Sequence, residues 1–178
     1  MGYWNTRGLR GSTFEEMINL SNDFYFEKGL AVIQKVPTPI TPVELDSRNG
    51  NITLAYFEKK STVDYIGAVQ GIPVCFDAKE TARSSLPLQN IHGHQIEFMD
   101  NFQRQRGLAF FLVSFMRTRE MFYLPFDTVQ SYWKAAQRGG RKSIPYSGFD
   151  RGLTIKGEGA CLVHYLQTIN TFLARGEA

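Results

Sequence analysis

The sequence predicts an α/β domain in which helices flank a mixed central β-sheet and one β-hairpin protrudes. The 178 residues, 43% of them apolar, fit a single domain at 1–178 with a sizeable core. A helical segment is followed by strands and then by alternating helices and strands, which is typical of one sheet with helices packed against it. Pro37, Pro39 and Pro42 disfavour regular strand pairing after the first strand.

The first predicted helix covers 12–27, where Ser12 is a typical N-terminal cap and apolar residues recur near helical spacing. A strand over 29–36 leads into the predicted arm at 37–58, whose Asn49-Gly50 pair favours a tight hairpin turn. The remaining segments, read from their apolar periodicity, are strands at 61–71 and 72–81, a helix at 90–105, strands at 107–115 and 121–126, a helix at 128–137, a basic loop at 138–148 and a helix at 158–174.

Composition excludes several classes of protein. No run of 18 apolar residues predicts a membrane span, and the first residues, MGYWNTRGLRGS, lack the apolar core of a secretory signal. Cys75 and Cys161 are too few and too distant for a zinc or disulfide framework. We therefore expect a cytoplasmic protein without a membrane partner.

Positive charge is concentrated in one part of the chain. The net charge is only +3, but between Asp100 and Lys142 there are eight cations and three anions, so that segment alone carries +5. Such a segment is typical of proteins that bind a polyanion.

Polar residues surround the apolar run VDYIGAVQGIPVCFDAKET. Residues two apart in a strand face the same side, about 6.6 to 6.8 Å apart, so Asp77 and Lys79 share one face, as do Thr62 and Asp64. If the two strands form a hairpin, both pairs converge at its edge. Hard oxygen ligands beside an ammonium group suit Mg²⁺, with Mn²⁺ as the alternative, and phosphodiester hydrolysis. In the alternative interpretation, Asp64 is a turn residue and Asp77 and Lys79 form a solvated edge pair.

Six blocks, in this order, carry a resemblance: RGLRGSTFEEMIN, KVPTPITPV, STVDYIGAVQG, FDAKET, LPLQNIHGHQIEFM and GRKSIPY. Together they resemble the RecU-type Holliday junction resolvases of the PD-(D/E)xK nuclease superfamily. The resemblance implies a homodimer that nicks four-way DNA junctions symmetrically with Mg²⁺ during recombination and repair. A recombinase or a branch-migration complex is a further candidate partner.

The resemblance also implies roles for individual residues. Thr62, Asp64, Asp77 and Gln95 fall where the family holds its metal, and Lys79 falls at the lysine that stabilises the transition state. The arm matches the stalk that enters the centre of the junction. This chain departs from the family at Asp77, where glutamate is usual, so the carboxylate reaches about one methylene less far.

Glu15 matches a first-helix glutamate that related nucleases use in catalysis. Its alternative role follows from Ser12-x-x-Glu15, a capping-box pattern in which the glutamate bonds the backbone at the start of the helix.

Cations near the arm, the first helix and the basic loop are candidate phosphate contacts, with solvated surface charges as the alternative. They are Arg7, Arg10, Lys35, Arg48, Lys59, Lys60, Arg138, Arg141 and Lys142. Two other functions stay open at this point: a different PD-(D/E)xK structure-specific nuclease, or a protein of the same fold that binds branched DNA without cleaving it.

Overall fold

The computed structural model describes residues 13–57 and 62–176, which contain four helices and ten strands. The elements in chain order are α1 (Thr13–Glu27), β1 (Ala31–Lys35), β2 (Ile40–Leu45), β3 (Ile52–Phe57), β4 (Tyr65–Val69), β5 (Ile72–Thr81), β6 (Ser85–Pro87), α2 (Gly93–Arg104), β7 (Leu108–Phe115), β8 (Glu120–Pro125), α3 (Phe126–Gln137), β9 (Ser143–Pro145), β10 (Thr154–Ile155) and α4 (Tyr165–Ala174).

The central sheet is mixed, with strand order β1-β4-β5-β7-β8-β10. Only β5 and β7 run parallel, and α2 connects them as the crossover that a parallel pair requires. The other neighbouring strands in this sheet are antiparallel. The expected α/β class, with a mixed sheet between helices, is confirmed.

Helices cover both faces of the sheet. Buried side chains of α1 and α4 pack on one face, against Phe76 and Phe110, and those of α2 and α3 pack on the other, against Phe111 and Val113. Along β5 the side chains alternate between these two cores, as a strand buried on both faces requires. Asp77 and Lys79 share the face of Cys75, which belongs to the core under α2 and α3.

The hairpin of β2 and β3 stands apart from the central sheet. Its turn closes where Asn49-Gly50 predicted it, with a hydrogen bond of 2.8 Å from the Asp46 N–H to the Asn51 carbonyl. Gly50 adopts a φ of +71°, a conformation that glycine accepts without strain. All six residues of β3 are exposed, so this element is held by its own ladder and not by the core.

Three predicted helix starts were wrong. Helix α3 begins at Phe126, directly after Pro125, and not at residue 128. The last helix begins at Tyr165 and not at residue 158, because Glu158 and Cys161 exchange backbone hydrogen bonds around Gly159, whose φ is +57°. Asn90 does not cap α2 because it ends a short 3₁₀ turn, and the helix starts after His92. The predicted Ser12 cap lies outside the described residues.

Within the two described ranges, no helix is long and apolar enough to cross a membrane.

Candidate active site

Asp64 and Asp77 lie opposite each other at the point where β4 begins, and each carboxylate accepts a backbone N–H from the segment across from it. Tyr65 pairs with Phe76 across the two strands, so the residue before β4, Asp64, lies opposite Asp77. The Asp64 N–H donates to Asp77 Oδ1 at 3.0 Å, and Asp64 Oδ2 accepts the Ala78 N–H at 2.9 Å. The two acids thus converge as the sequence predicted, but β4 begins at Tyr65 and not at residue 61, so Thr62 and Asp64 do not share the face of a strand.

Asp77 and Lys79 do not form the solvated edge pair of the alternative interpretation. The strands β4 and β5 are interior to the sheet, and Asp77 is 0% exposed. The polar cluster lies at the end of β4, where β5 continues to Thr81 beside β7. Because β4 is shorter than β5, side chains near the end of β4 can reach solvent although neither strand lies at the edge of the sheet.

Electrostatics in this cluster favour a cation. Burial raises the pKa of Asp64 to about 7, and the adjacent Asp77 carboxylate adds to the rise, while Lys79 and the Ala78 N–H act in the opposite direction. The Lys79 ammonium, only 16% exposed, is ion-paired with Asp77 Oδ2. Two close carboxylates with one compensating lysine form a site where a divalent cation would relieve repulsion.

Gln95 connects the start of α2 to this cluster. Its Nε2 donates to Asp77 Oδ2 at 2.9 Å, and its Oε1 accepts the His92 N–H at 2.9 Å. Because a backbone N–H can only donate, the amide oxygen must face His92, and the NH₂ group must therefore face Asp77. The structure thus brings Gln95 to the predicted site, where it fixes the orientation of the Asp77 carboxylate.

Thr62 precedes Asp64 by two residues, and Glu15 lies on α1 beside Tyr65, the residue after Asp64. Thr62 is half-buried and, with His94 and Phe98 of α2, borders a cavity of about 450 Å³. Glu15 accepts a hydrogen bond of 2.6 Å from Lys35, and its backbone carbonyl accepts one of 3.4 Å from Tyr65. The capping-box alternative for Glu15 involves Ser12, which lies outside the described residues.

Glu80 is a further acid that sequence reasoning missed. Burial raises its pKa, and the charge of Glu15 raises it further. Alternation along β5 directs Glu80 to the face opposite Lys79. Its position directly after Lys79 in the string DAKE was the available signal.

The predicted phosphate contacts lie in three places. Lys35 pairs with Glu15, Arg48 lies in the hairpin turn, and the basic loop carries exposed Arg138, Arg141 and Lys142. The Lys142 carbonyl accepts the Leu88 N–H at 3.1 Å, which attaches this loop to the segment that leads into α2. The other four predicted cations are not among the described residues: Arg7, Arg10, Lys59 and Lys60.

The arrangement provides two carboxylates and one ammonium in a fixed geometry. Among the described residues, no group of three or more His, Cys, Asp or Glu side chains forms a metal cluster. Two carboxylates with additional neutral oxygen donors suit a hard cation such as Mg²⁺, which retains waters and takes up phosphate oxygens.

Comparison with known proteins identifies the family of this chain. The family model described as Recombination protein U matches residues 9–171. The chain belongs to the RecU family. A protein of Pediococcus pentosaceus named Holliday junction resolvase RecU is 39% identical over 171 residues, which cover 93% of this chain and 85% of the relative. The protein of the same name from Levilactobacillus brevis is 40% identical over 172 residues, covering 94% and 86%.

Among solved structures, the chain is similar to the Hjc Holliday junction resolvase of Archaeoglobus fulgidus. The identity is 13%, the TM-score is 0.37, and the match covers 64% of this chain and 75% of the other. A TM-score of this size does not establish a shared fold.

Proposed function

We propose that this RecU-family chain is a Holliday junction resolvase, a Mg²⁺-dependent endonuclease that makes symmetric nicks in four-way DNA junctions during homologous recombination and repair. The observation that carries the proposal is the pair of adjacent carboxylates: Asp77 accepts the Asp64 N–H and is ion-paired with Lys79, and Asp64 accepts the N–H of the residue after Asp77. Relatives that match more than 90% of the chain bear the name of this activity.

Asp64 and Asp77 would hold the metal, with Thr62 and Gln95 as additional donors, and Mn²⁺ is the alternative ion. The fit rests on the raised pKa of Asp64, which reflects two acids in a place with little water. When bound, such an ion lowers the pKa of a water molecule and neutralises charge on the phosphate. The Gln95 amide presents its NH₂ group to Asp77 and its oxygen to His92, so Gln95 would donate to the ion only after this amide turns over, and as it stands it orients the Asp77 carboxylate.

Lys79 acts on the phosphate. Its ammonium is nearly buried and bound to Asp77, so its position is fixed before substrate arrives. A cation held in this way stabilises the additional negative charge of the transition state without reorganisation. Glu15, held by Lys35, contributes to the site from α1.

The hairpin over 37–58 serves as the stalk. Residues 40–57 carry two anions, Glu44 and Asp46, and one cation, Arg48, so charge alone does not attract this element to DNA. Its exposed side chains are largely apolar and include Leu45, which is 65% exposed. A two-stranded hairpin is marginal alone, and we infer that it packs on a second copy in a homodimer while its tip enters the junction. A C₂ dimer matches two opposed cuts.

The basic loop with Arg138, Arg141 and Lys142 and the cations Lys35 and Arg48 contact backbone phosphates. The same role is proposed for Arg7, Arg10, Lys59 and Lys60. Phosphate contacts position a duplex without reading its sequence. A recombinase or branch-migration complex would deliver the junction in the cytoplasm, where the two free, buried cysteines stay reduced.

The test is cleavage of a labelled four-way junction, beside linear duplex and flap substrates, with Mg²⁺, Mn²⁺ or EDTA. We expect paired nicks at symmetric positions that require metal. Lys79→Ala is expected to abolish them, whereas Lys156→Ala, which removes an exposed lysine elsewhere, is expected to leave them unchanged. Tight, metal-independent junction binding without nicks would instead identify a binding protein of the same fold, and cleavage of flaps alone a different nuclease.

A further inference from the structure

A cleft lies where the parallel strands β5 and β7 end. Its volume is about 420 Å³, and it is lined by Arg83, Ser84, Phe115, Arg117, Thr118 and Tyr146. Two guanidinium groups, three hydroxyl groups and one buried aromatic ring therefore share one small space. None of these residues belongs to the candidate active site described above.

Backbone hydrogen bonds hold the walls of the cleft together. The Thr81 hydroxyl accepts the Arg83 N–H at 3.1 Å and donates to the Ser85 carbonyl at 3.2 Å, which closes the turn after β5. The Met116 N–H donates to the Thr81 carbonyl at 2.9 Å, and the Tyr146 N–H donates to the Ser84 carbonyl at 3.1 Å. Three separate chain segments thus meet with fixed backbones.

The charge of the cleft is positive and uncompensated. Arg83 and Arg117 are exposed, and within 13–57 and 62–176 neither guanidinium forms an ion pair. The neighbouring Glu120 carboxylate is already bound, with Oε1 accepting from Arg151 at 2.7 Å and Oε2 from the Tyr146 hydroxyl. The Arg151 guanidinium also lies over the Tyr146 ring, 4.4 Å from its centre.

We propose that this cleft binds a backbone phosphate of the DNA strand that is being cut, a few nucleotides from the scissile phosphate. The inference rests on the proposed function. Guanidinium groups bind phosphate in a bidentate manner, and the Ser84 hydroxyl can donate to a remaining oxygen, whereas the Thr118 side chain is hydrogen-bonded to Glu120. The Tyr146 hydroxyl stays with Glu120 and forms the wall.

Position favours a DNA strand over a free anion. Arg83 follows Lys79 by four residues, at most about 13 Å at 3.3 Å per residue, so a phosphate bound at Arg83 belongs to a nucleotide within a few steps of the scissile phosphate. The small sheet of β6 and β9 begins at this cleft, where Ser85 pairs with Pro145, and ends where Pro87 pairs with Ser143 beside the basic loop. A basic surface therefore extends beyond the cleft, as an extended polyanion requires.

Junction binding in EDTA tests the proposal without cleavage. We expect Arg83→Ala and Arg117→Ala each to weaken binding about tenfold, and the double variant to reduce the slope of log K against log salt by about one. Lys28→Ala is the matched control, because Lys28 is an exposed cation at the end of the sheet where β1 begins, opposite the cleft. Thermal melting of all variants should match wild type, since these side chains are exposed.

A neutral methylphosphonate, placed at successive positions of one strand, locates the contact. Wild type should lose about tenfold in affinity when the neutral linkage lies at one position within a few nucleotides of the cut, and the double variant should show no further loss at that position. Variants that bind as tightly as Lys28→Ala, or an unchanged loss in the double variant, would overturn the inference. Wild type that binds no junction, or binds it and never cuts, would instead contradict the proposed function.

Discussion

The aspartate pair and the hairpin arm are built by opposite means. Asp77 is fully buried, and hydrogen bonds from Asp64 and Gln95 fix both of its oxygens. The arm exposes almost every residue of β2 and β3 and contacts no core. Chemistry needs atoms held in one arrangement, whereas an element that meets DNA or a second copy needs free surface. We therefore expect changes in the pair to affect cleavage, and changes in the arm to affect selectivity.

The largest effect is expected from Asp77→Asn. Loss of one of two metal-binding carboxylates should lower the cleavage rate by about 10³-fold, equivalent to about 4 kcal/mol, because several kcal/mol of charge stabilisation are lost. Single-turnover cleavage of a junction measures the rate, and binding in EDTA should stay near wild type. Asp46→Asn, the same substitution in the arm, is the matched control. Equal rates for Asp77→Asn and wild type would remove Asp77 from the mechanism.

The Asp64–Asp77 pair should also make the free energy of unfolding depend on pH when metal is absent. The folded protein keeps a proton on Asp64 up to a pKa of about 7, whereas the unfolded chain releases it near the ordinary value of 3.8. This contribution to stability is complete below pH 3.8 and is lost as the pH rises through about 7. Asp64→Asn has no titrating group at this position, so its free energy of unfolding should not fall in this way. Between pH 5 and pH 8 in EDTA, we therefore expect the free energy of unfolding of the variant to rise by about 2 kcal/mol relative to that of wild type.

Scanning calorimetry at both pH values measures this difference. The control variant Asp46→Asn, altered only in the arm, should follow the wild-type curve, because the pKa effect at Asp64 comes from burial and from Asp77. If the free energies of unfolding of wild type and Asp64→Asn differ by the same amount at pH 5 and pH 8, the pKa of Asp64 is not raised in the folded protein.

Shortening the arm should change the choice of substrate. Replacing residues 46–51 by a two-residue Asn-Gly turn preserves a hairpin but removes its tip. We expect the preference for a four-way junction over linear duplex to fall about tenfold, since the lost contacts are few and exposed, each phosphate contact being worth about that much. The cleavage rate at saturating enzyme should not change. An unaltered preference would contradict the role of the arm as a stalk.

The smallest effect is expected from Glu15→Gln. The amide oxygen still accepts a hydrogen bond from Lys35, so the local structure should be preserved. We expect the cleavage rate to fall about threefold, in proportion to the loss of one partly exposed charge. A loss as large as that of Asp77→Asn would make Glu15 a direct participant in metal binding.

Local sequence signals predicted much of this structure. The Asn49-Gly50 turn, the strand pair at 61–81 and the alternation along β5 follow from neighbouring residues, and they place Asp64 opposite Asp77. The amide orientation of Gln95 was not predicted, because α2 was expected to begin at Asn90, whereas it begins after His92, whose N–H fixes the Gln95 oxygen.

Other features could not be predicted from the pattern of apolar residues. The helix over 158–174 begins late because Glu158 and Cys161 bond each other first. The arginine cleft joins side chains from the turn after β5 and the turn after β7, and no spacing in the sequence indicates that these turns meet. Glu80 was overlooked because the string DAKE reads equally well as an exposed charged strand end.

Calorimetric titration of Mg²⁺ into metal-free protein at pH 7, in two buffers of different ionisation enthalpy, tests the central claim most directly. Because burial and the Asp77 carboxylate raise the pKa of Asp64, wild type should release protons when it binds the ion. Asp64→Asn should bind far more weakly and release none, and Asp46→Asn should behave as wild type. Equal affinity and equal proton release in wild type and Asp64→Asn would contradict the claim that this pair of aspartates holds the metal.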